Sequence, residues 1–293
     1  MFAIYKSVCA KLSHKTFCPS CQHNTMASNN TVAILTSSKK DMEQIFGKAP
    51  SSKDVVSYFE HRGLVTVIAL GQDVNTPSLV VIQNASPHIY AQAFAERVES
   101  LPKRMALGNK RGGQFGWGFS CMAKQGMVPS INKCNVPYVL KNSAKDPLGI
   151  ALQEELLKPT LQWMWEQTQE AFPVECKSML SLIHPQYHFL ETGFSKVSVS
   201  LNIGANFHYD ENNMEGSICT ILVMGKDFEG GEQVVAHENG CTVIKHGDKT
   251  LFMGDYKHLY HGVLPIVYGK RVAIIGYASQ DVRKYCMKVL GMH

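Results

Sequence analysis

The chain has 293 residues, 45% of them hydrophobic and 18% charged, with a net charge of +5. That balance describes a globular protein of one large or two small domains and excludes wholesale disorder or a fibrous repeat. No apolar run is long enough to span a bilayer, and the start, MFAIYKSVCAKLSHK, places its apolar stretch ahead of its lysines, the reverse of a signal peptide. The nine cysteines are odd in number and lack framework spacing, which suits reduced thiols of cytosol or nucleus, so a soluble intracellular protein without a membrane partner is expected.

Residues 1–55 carry polar runs such as MASNNT and SSKKDMEQ and read as a loosely ordered N-terminal extension, with one domain over 56–293. Within the extension, Cys9, His14, Cys18 and Cys21 could bind structural zinc, CPSC having the spacing of half a zinc knuckle. No second C-x2-C follows, and ordinary thiols are the alternative. LVTVIAL (64–70) and SLVVIQ (78–83) read as strands, and ASPHIYAQAFAERVESL as a helix capped by Ser86 with Pro87 at its first position.

Next comes a basic segment, 101–145, with eight Lys or Arg residues and no Asp or Glu. It contains GNKRGGQFGWGF. Lys110 and Arg111 could neutralise phosphates while Phe115 or Trp117 stacks on a base in a flexible glycine loop; the alternative is that these rings pack into the core. ALQEELLKPTLQWMWEQTQEAF (151–172) has helical periodicity, with a break or new start expected at Pro159. From Phe194 onward KVSVSLNI, SICTILVMG, GEQVVA, CTVIK, KTLFMG and KRVAIIGYA read as short strands between turns. This order predicts an α+β protein, a β-sandwich or jelly roll flanked by helices.

The chemistry centres on NFHYDENNMEGS. In an extended strand His208 and Asp210 point to one face, and a two-histidine, one-carboxylate set leaves coordination positions open on Fe(II). A distal histidine is required, and HLYHGVLPIVYGKR offers His258 and His261. If 2-oxoglutarate binds the same iron, its far carboxylate needs a cation on the following strand, preferably an Arg. Arg271 follows His261 by ten residues, whereas the tenth after His258 is Tyr268. The expected ligands are therefore His208, Asp210 and His261, with Arg271 as the anchor; His258 and Lys270 are the respective alternatives.

The stretches HYDENNMEGSICTILVMGKDFEGGEQVV and HGDKTLFMGDYKHLYHGVLPIVYGKR resemble the iron and 2-oxoglutarate dependent dioxygenases, and among them the ten-eleven translocation and J-binding protein (TET/JBP) group of nucleic acid base oxidases. The resemblance covers about 194–280 and implies a double-stranded β-helix (jelly-roll, cupin-like) core. It implies Fe(II), 2-oxoglutarate and O2 as cofactors and oxidation of 5-methylcytosine in DNA to 5-hydroxymethylcytosine and further products, with the base flipped out of the duplex. It makes Asn213, with Asn212 beside it, a contact to that base, although turn chemistry explains both asparagines as well. It places Asn202 toward the cosubstrate pocket. The cysteine-rich region and large insert of animal members are absent, which leaves DNA contact to the basic segment. An N-methyl nucleobase demethylase on DNA or RNA, a protein or small-molecule hydroxylase and a silent nucleic acid binding module are the rival readings. A monomer is expected, and a nuclear location follows only from the substrate.

Overall fold

The computed structural model describes residues 37–87, 89–106, 113–120 and 137–292. In chain order these form α1 (Lys39–Phe46), α2 (Ser52–Glu60), β1 (Val65–Ile68), β2 (Val74–Asn75), β3 (Leu79–Ile82), α3 (Ile89–Val98), β4 (Gln114–Ser120) and β5 (Tyr138–Val139). Four helices follow, α4 (Lys141–Ala144), α5 (Pro147–Leu152), α6 (Lys158–Ala171) and α7 (Pro173–Leu182). Eight strands then run almost without interruption: β6 (Lys196–Leu201), β7 (Ala205–His208), β8 (Cys219–Gly230), β9 (Gln233–His237), β10 (Gly240–Ile244), β11 (Thr250–Gly254), β12 (Tyr260–Val263) and β13 (Ile266–Tyr277). Helix α8 (Gln280–Leu290) closes the described chain.

Those eight strands form a jelly roll. The larger sheet has the order β2-β3-β11-β8-β13-β6-β4-β5 and the smaller β1-β10-β9-β12-β7. The chain therefore crosses between sheets at nearly every turn from β6 to β13, and only β9 and β10 stay together as a hairpin. Alternation along the long strands β8 and β13 gives each a helix-facing and an inner face. Leu222, Met224, Val272 and Ile274 pack against the helices in one cluster with Phe94, Leu157, Leu161, Met164 and Trp165. Arg271, next to Val272, is turned the other way, toward the space between the sheets.

Small residues set how closely the helices approach. A Cβ on Gly193 would lie 2.2 Å from the Trp165 ring, and one on Gly276 would lie 2.8 Å from Phe194. Trp165 and Phe194 meet edge to face at 5.3 Å, the favoured geometry for two aromatic quadrupoles. Between helix and sheet the buried hydroxyls of Thr168 and Thr220 satisfy each other at 2.7 Å.

Three expectations are corrected here. Residues 37–55 belong to the same compact unit as the sheets. Ser38 and Ser51 each accept a hydrogen bond from the backbone N–H three residues on, of Asp41 and Asp54, and so cap α1 and α2. Met42 and Val55 are wholly buried there. Second, QFGWGFS is not a flexible loop but strand β4, paired with β6. Phe115 and Trp117 point into the core at 4% and 0% exposure, and the Trp117 indole donates to Gly149 O at 3.1 Å. Its glycines serve close packing: Gly118 has φ +93° and a Cβ there would lie 2.7 Å from Ser195 O.

Pro159 marks a new helix start, as expected. It sits in the first turn of α6, directly after a π-helical stretch, Gln153–Leu157. The wider turn absorbs the missing N–H and the bulk of the ring. Third, the helix expected from Ser86 and Pro87 begins only at Ile89. The candidate zinc residues Cys9, His14, Cys18 and Cys21 lie outside the described residues, as do Lys110 and Arg111. Among the described cysteines, Cys176, Cys219, Cys241 and Cys286 are free and buried. No helix among the described residues is long and apolar enough to cross a membrane.

Candidate metal centre

Strand β7 is the free edge of the smaller sheet, and its partner is β12, in a register that sets His208 opposite His261. The outer edge of β7 is covered from the N-terminal side. Phe207 N donates to Pro50 O at 2.9 Å, Asn206 Nδ2 to Ala49 O at 3.2 Å, and the Ser52 hydroxyl to Ala205 O. Gly262 on β12 permits this cover, since a Cβ there would lie 2.6 Å from Ser52 Oγ. The helices α1 and α2 thus hold the strand from which the first histidine projects.

His208, Asp210 and His261 each offer a ligand atom, all within 4.8 Å of one another. The two imidazole rings are 4.4 Å apart, and His208 Nε2 lies 3.4 Å from Asp210 Oδ1. Both histidines are oriented by one device. His208 Nδ1 lies 2.7 Å from Asn206 O, and His261 Nδ1 lies 2.9 Å from Leu259 O. A carbonyl only accepts, so Nδ1 carries the proton and Nε2 is the nitrogen of each ring with a lone pair that could bind a metal.

Burial is graded across the set: the His208 side chain is 42% exposed and that of Asp210 29%, while His261 is 5% exposed. Burial pushes the His261 imidazole down to about 4, against the opposing pull of Asp210, so it stands neutral at physiological pH as a ligand must. Burial resists charge on Asp210, yet the nearby imidazoles of His208 and His261 and the Asn213 amide hold its carboxyl below the usual range. The histidine three residues before His261 is arranged differently. His258 is exposed, with Nδ1 2.7 Å from Asp255 Oδ2 and Nε2 3.2 Å from Glu215 Oε1, so carboxylates occupy both of its nitrogens.

Arg271 is 2% exposed. Its Nε is buried without a hydrogen-bond partner, an arrangement costly enough to point to a missing acceptor. Burial lowers the guanidinium to about 10 against the pull of Glu232 and Tyr256, which leaves it charged at neutral pH. Gly231, at φ +74°, makes room for it: a Cβ there would lie 2.7 Å from Arg271 Cδ. Lys270, by alternation, faces outward to an ion pair with Glu99.

Three buried neighbours escape a reading by motif. The Tyr256 ring lies edge-on to His261 at 4.8 Å and interacts electrostatically with both Asp210 and Arg271, which links the candidate ligands to the arginine. Gln233 Nε2 donates to the Tyr256 hydroxyl at 2.6 Å. His246 Nε2 donates to Gly231 O at 2.8 Å, and burial with the Arg271 charge lowers this imidazole to about 3. The signal for them lies in alternation within HGDKTLFMGDYKH and GEQVVA, which marks inward positions but gives no reason to prefer one polar inward residue over another.

Two residues assigned by resemblance sit elsewhere than expected. Asn202 is exposed, at φ +53°. It closes a reciprocal pair with the Arg271 backbone, its Oδ1 accepting from Arg271 N at 2.7 Å and its own N–H donating to Arg271 O at 2.9 Å. It therefore steadies the strand that bears Arg271 and does not face the pocket. Asn213 is 4% exposed, with its amide turned inward to Asp210 Oδ2 at 3.4 Å. Asn212 is half-buried on the same turn.

No protein-family model and no curated protein sequence matches the chain. Among solved structures, NgTET1 in complex with 5mC DNA superposes with a TM-score of 0.57 at 13% identity, over 79% of this chain and 90% of that one. A 2OG-Fe(II) oxygenase family oxidoreductase from Burkholderia pseudomallei gives 0.42 at 12% identity, over 69% and 84%. A prolyl hydroxylase from Trichoplax adhaerens, in complex with a hypoxia inducible factor peptide fragment, gives 0.38 at 11%, over 71% and 87%. At such identities the likeness to NgTET1 is one of fold, and it agrees with the jelly roll described above.

Proposed function

We propose that this protein is an Fe(II)- and 2-oxoglutarate-dependent dioxygenase that oxidises the methyl group of 5-methylcytosine in DNA. The observation that carries the reading is the register pair of His208 and His261 with Asp210 beside it. Two imidazole nitrogens and one carboxylate oxygen suit Fe(II) and leave positions for cosubstrate and O2. When bound, the iron and 2-oxoglutarate supply the oxidising power for a C–H bond.

The chain's own residues supply orientation and a dry wall. The donor set fits 2-oxoglutarate, because the unpaired buried Nε of Arg271 is the kind of group that a carboxylate satisfies. Fully buried Tyr256 and nearly buried Gln233 close the space between anchor and ligands to water. The exposed sides of His208 and Asp210 are where substrate would approach, and a methyl group inside a duplex reaches such a site only if its nucleotide is flipped out.

The likeness of fold to a protein solved with 5mC DNA supports the choice of substrate. Phe115 and Trp117 are core side chains, so Lys110 and Arg111 are left as the groups of that segment that would grip the DNA backbone, and Asn212 as the polar group for the base. Replacing both basic residues by Ala should weaken DNA binding and flatten its log–log salt dependence by roughly 2, one for each phosphate no longer neutralised. Unchanged affinity would remove that role.

Mass spectrometry of nucleosides after incubation with methylated DNA, Fe(II) and 2-oxoglutarate tests the substrate. Hydroxymethylcytosine is expected. Loss of N6-methyladenine would instead establish the demethylase reading, and turnover of neither would turn attention to protein or small-molecule substrates.

A further inference from the structure

The turn that follows Asp210 is held more tightly than a substrate-reading loop requires. Lys257 Nζ donates to Glu211 O and to Asn213 O, each at 3.0 Å. From the other side, Gln280 N donates to Asn212 O at 2.8 Å, and Met214 N to Ala278 O at 2.8 Å. Residue 213 also forms an isolated bridge with Ser279. Asn213 is thereby fixed with its backbone N–H on Asp210 O at 2.9 Å and its amide on Asp210 Oδ2 at 3.4 Å.

The two oxygens of Asp210 consequently have different neighbours. Oδ1 lies on the side of His208 Nε2, where an ion would sit, while Oδ2 receives the Asn213 amide. An ionised carboxylate only accepts hydrogen bonds, so Asn213 must present its nitrogen there. We infer that Asn213 is a positioning residue for the metal centre, which occupies one oxygen of Asp210 and leaves the other as a single, directed ligand atom. This rests on the metal-centre reading of His208, Asp210 and His261, and it moves Asn213 from the substrate's side of the site to the ligand's. The amide–carboxylate distance is longer than that of a typical neutral hydrogen bond, but a hydrogen-bonded carboxylate ligand is the general pattern at metal sites, where loss of such a partner weakens metal binding by about 10- to 100-fold.

The test uses the full chain and Co(II) alone, with affinity measured by titration and the ligand field read from the visible d–d bands. Asn213→Ala should weaken Co(II) binding by about 10- to 100-fold and alter those bands. Asn213→Asp keeps the shape but lacks the donor, so it should also bind more weakly, although its added charge by itself would favour a cation. Should Asn213→Ala fail to fold, as judged by its far-ultraviolet circular dichroism, Asn213→Asp decides the matter. Affinity and bands like those of the wild type in either folded variant would overturn the inference, and an activity loss with unchanged Co(II) binding would return Asn213 to substrate contact. A wild-type protein that binds no Co(II), with His208→Ala as its control, would instead overturn the metal centre itself.

Discussion

Two stretches rich in suggestive residues behave in opposite ways. Along β7 and β12 the backbone engages only Nδ1 of each histidine, the Nε2 of His208 lies 3.4 Å from Asp210 Oδ1, and the neighbouring Arg271 leaves a buried Nε unpaired. Along β4 every suggestive group is satisfied internally: Trp117 donates to Gly149 O, and Phe115 is buried in the core. Residue type therefore does not separate a site from a core. What separates them is that an unpaired buried donor lies beside the histidines and the carboxylate, where a bound acceptor would complete it.

Removing a metal ligand should have the largest effect. Asp210→Ala or His261→Ala should abolish metal-dependent turnover and lower Fe(II) affinity by more than about 100-fold, beyond the loss typical of an outer partner. His258→Ala, whose nitrogens both face carboxylates, should stay close to wild type; a loss as large as that of His261→Ala would reassign the third ligand. On the other side, Trp117→Ala should cost about 3–5 kcal/mol of stability, as for other large buried aromatics, measured by urea denaturation. A stable variant with weakened DNA binding would mean that the ring is available to stack after all.

Arg271→Lys should raise the Kd for 2-oxoglutarate by about tenfold or more, since an ammonium lacks the Nε and planar fork of a guanidinium. Fe(II) affinity without cosubstrate should be preserved, and isothermal titration separates the two. The smallest effect is expected from Ser51→Ala, which removes the cap of α2 at a cost of about 1 kcal/mol. Because α2 covers the edge of β7, it should also loosen Co(II) binding slightly, and a stability loss with no change at the metal would uncouple the helix from the site.

Much of the jelly roll was legible because its strands alternate or form short apolar runs between glycine turns, as in KVSVSLNI and KRVAIIGYA. The QFGWGFS strand was obscured by its own glycines, which suggest a loop until one sees that Gly118 is required where β4 meets Ser195. Yet Phe115, Trp117 and Phe119 already alternate with period two, and that signal outweighs the basic flanks. The N-terminal helices were likewise hidden in polar composition, while their caps stood in plain view as Ser38-x-x-Asp41 and Ser51-x-x-Asp54.

At the site, spacing distinguished His261 from His258 through Arg271, a relation along one chain segment. The roles of Asn213, Tyr256 and Gln233 depend on which elements meet in space. Nothing in NNMEGS announces that Lys257 will clamp the turn from a loop 44 residues away.

The central claim is that His208, Asp210 and His261 hold iron beside an Arg271 that anchors 2-oxoglutarate. Its most direct test is the anaerobic visible spectrum with Fe(II) and 2-oxoglutarate. The wild type should give a weak metal-to-ligand charge-transfer band that is absent in His208→Ala and retained in His258→Ala. No band in the wild type, or a normal band in His208→Ala, would contradict the account.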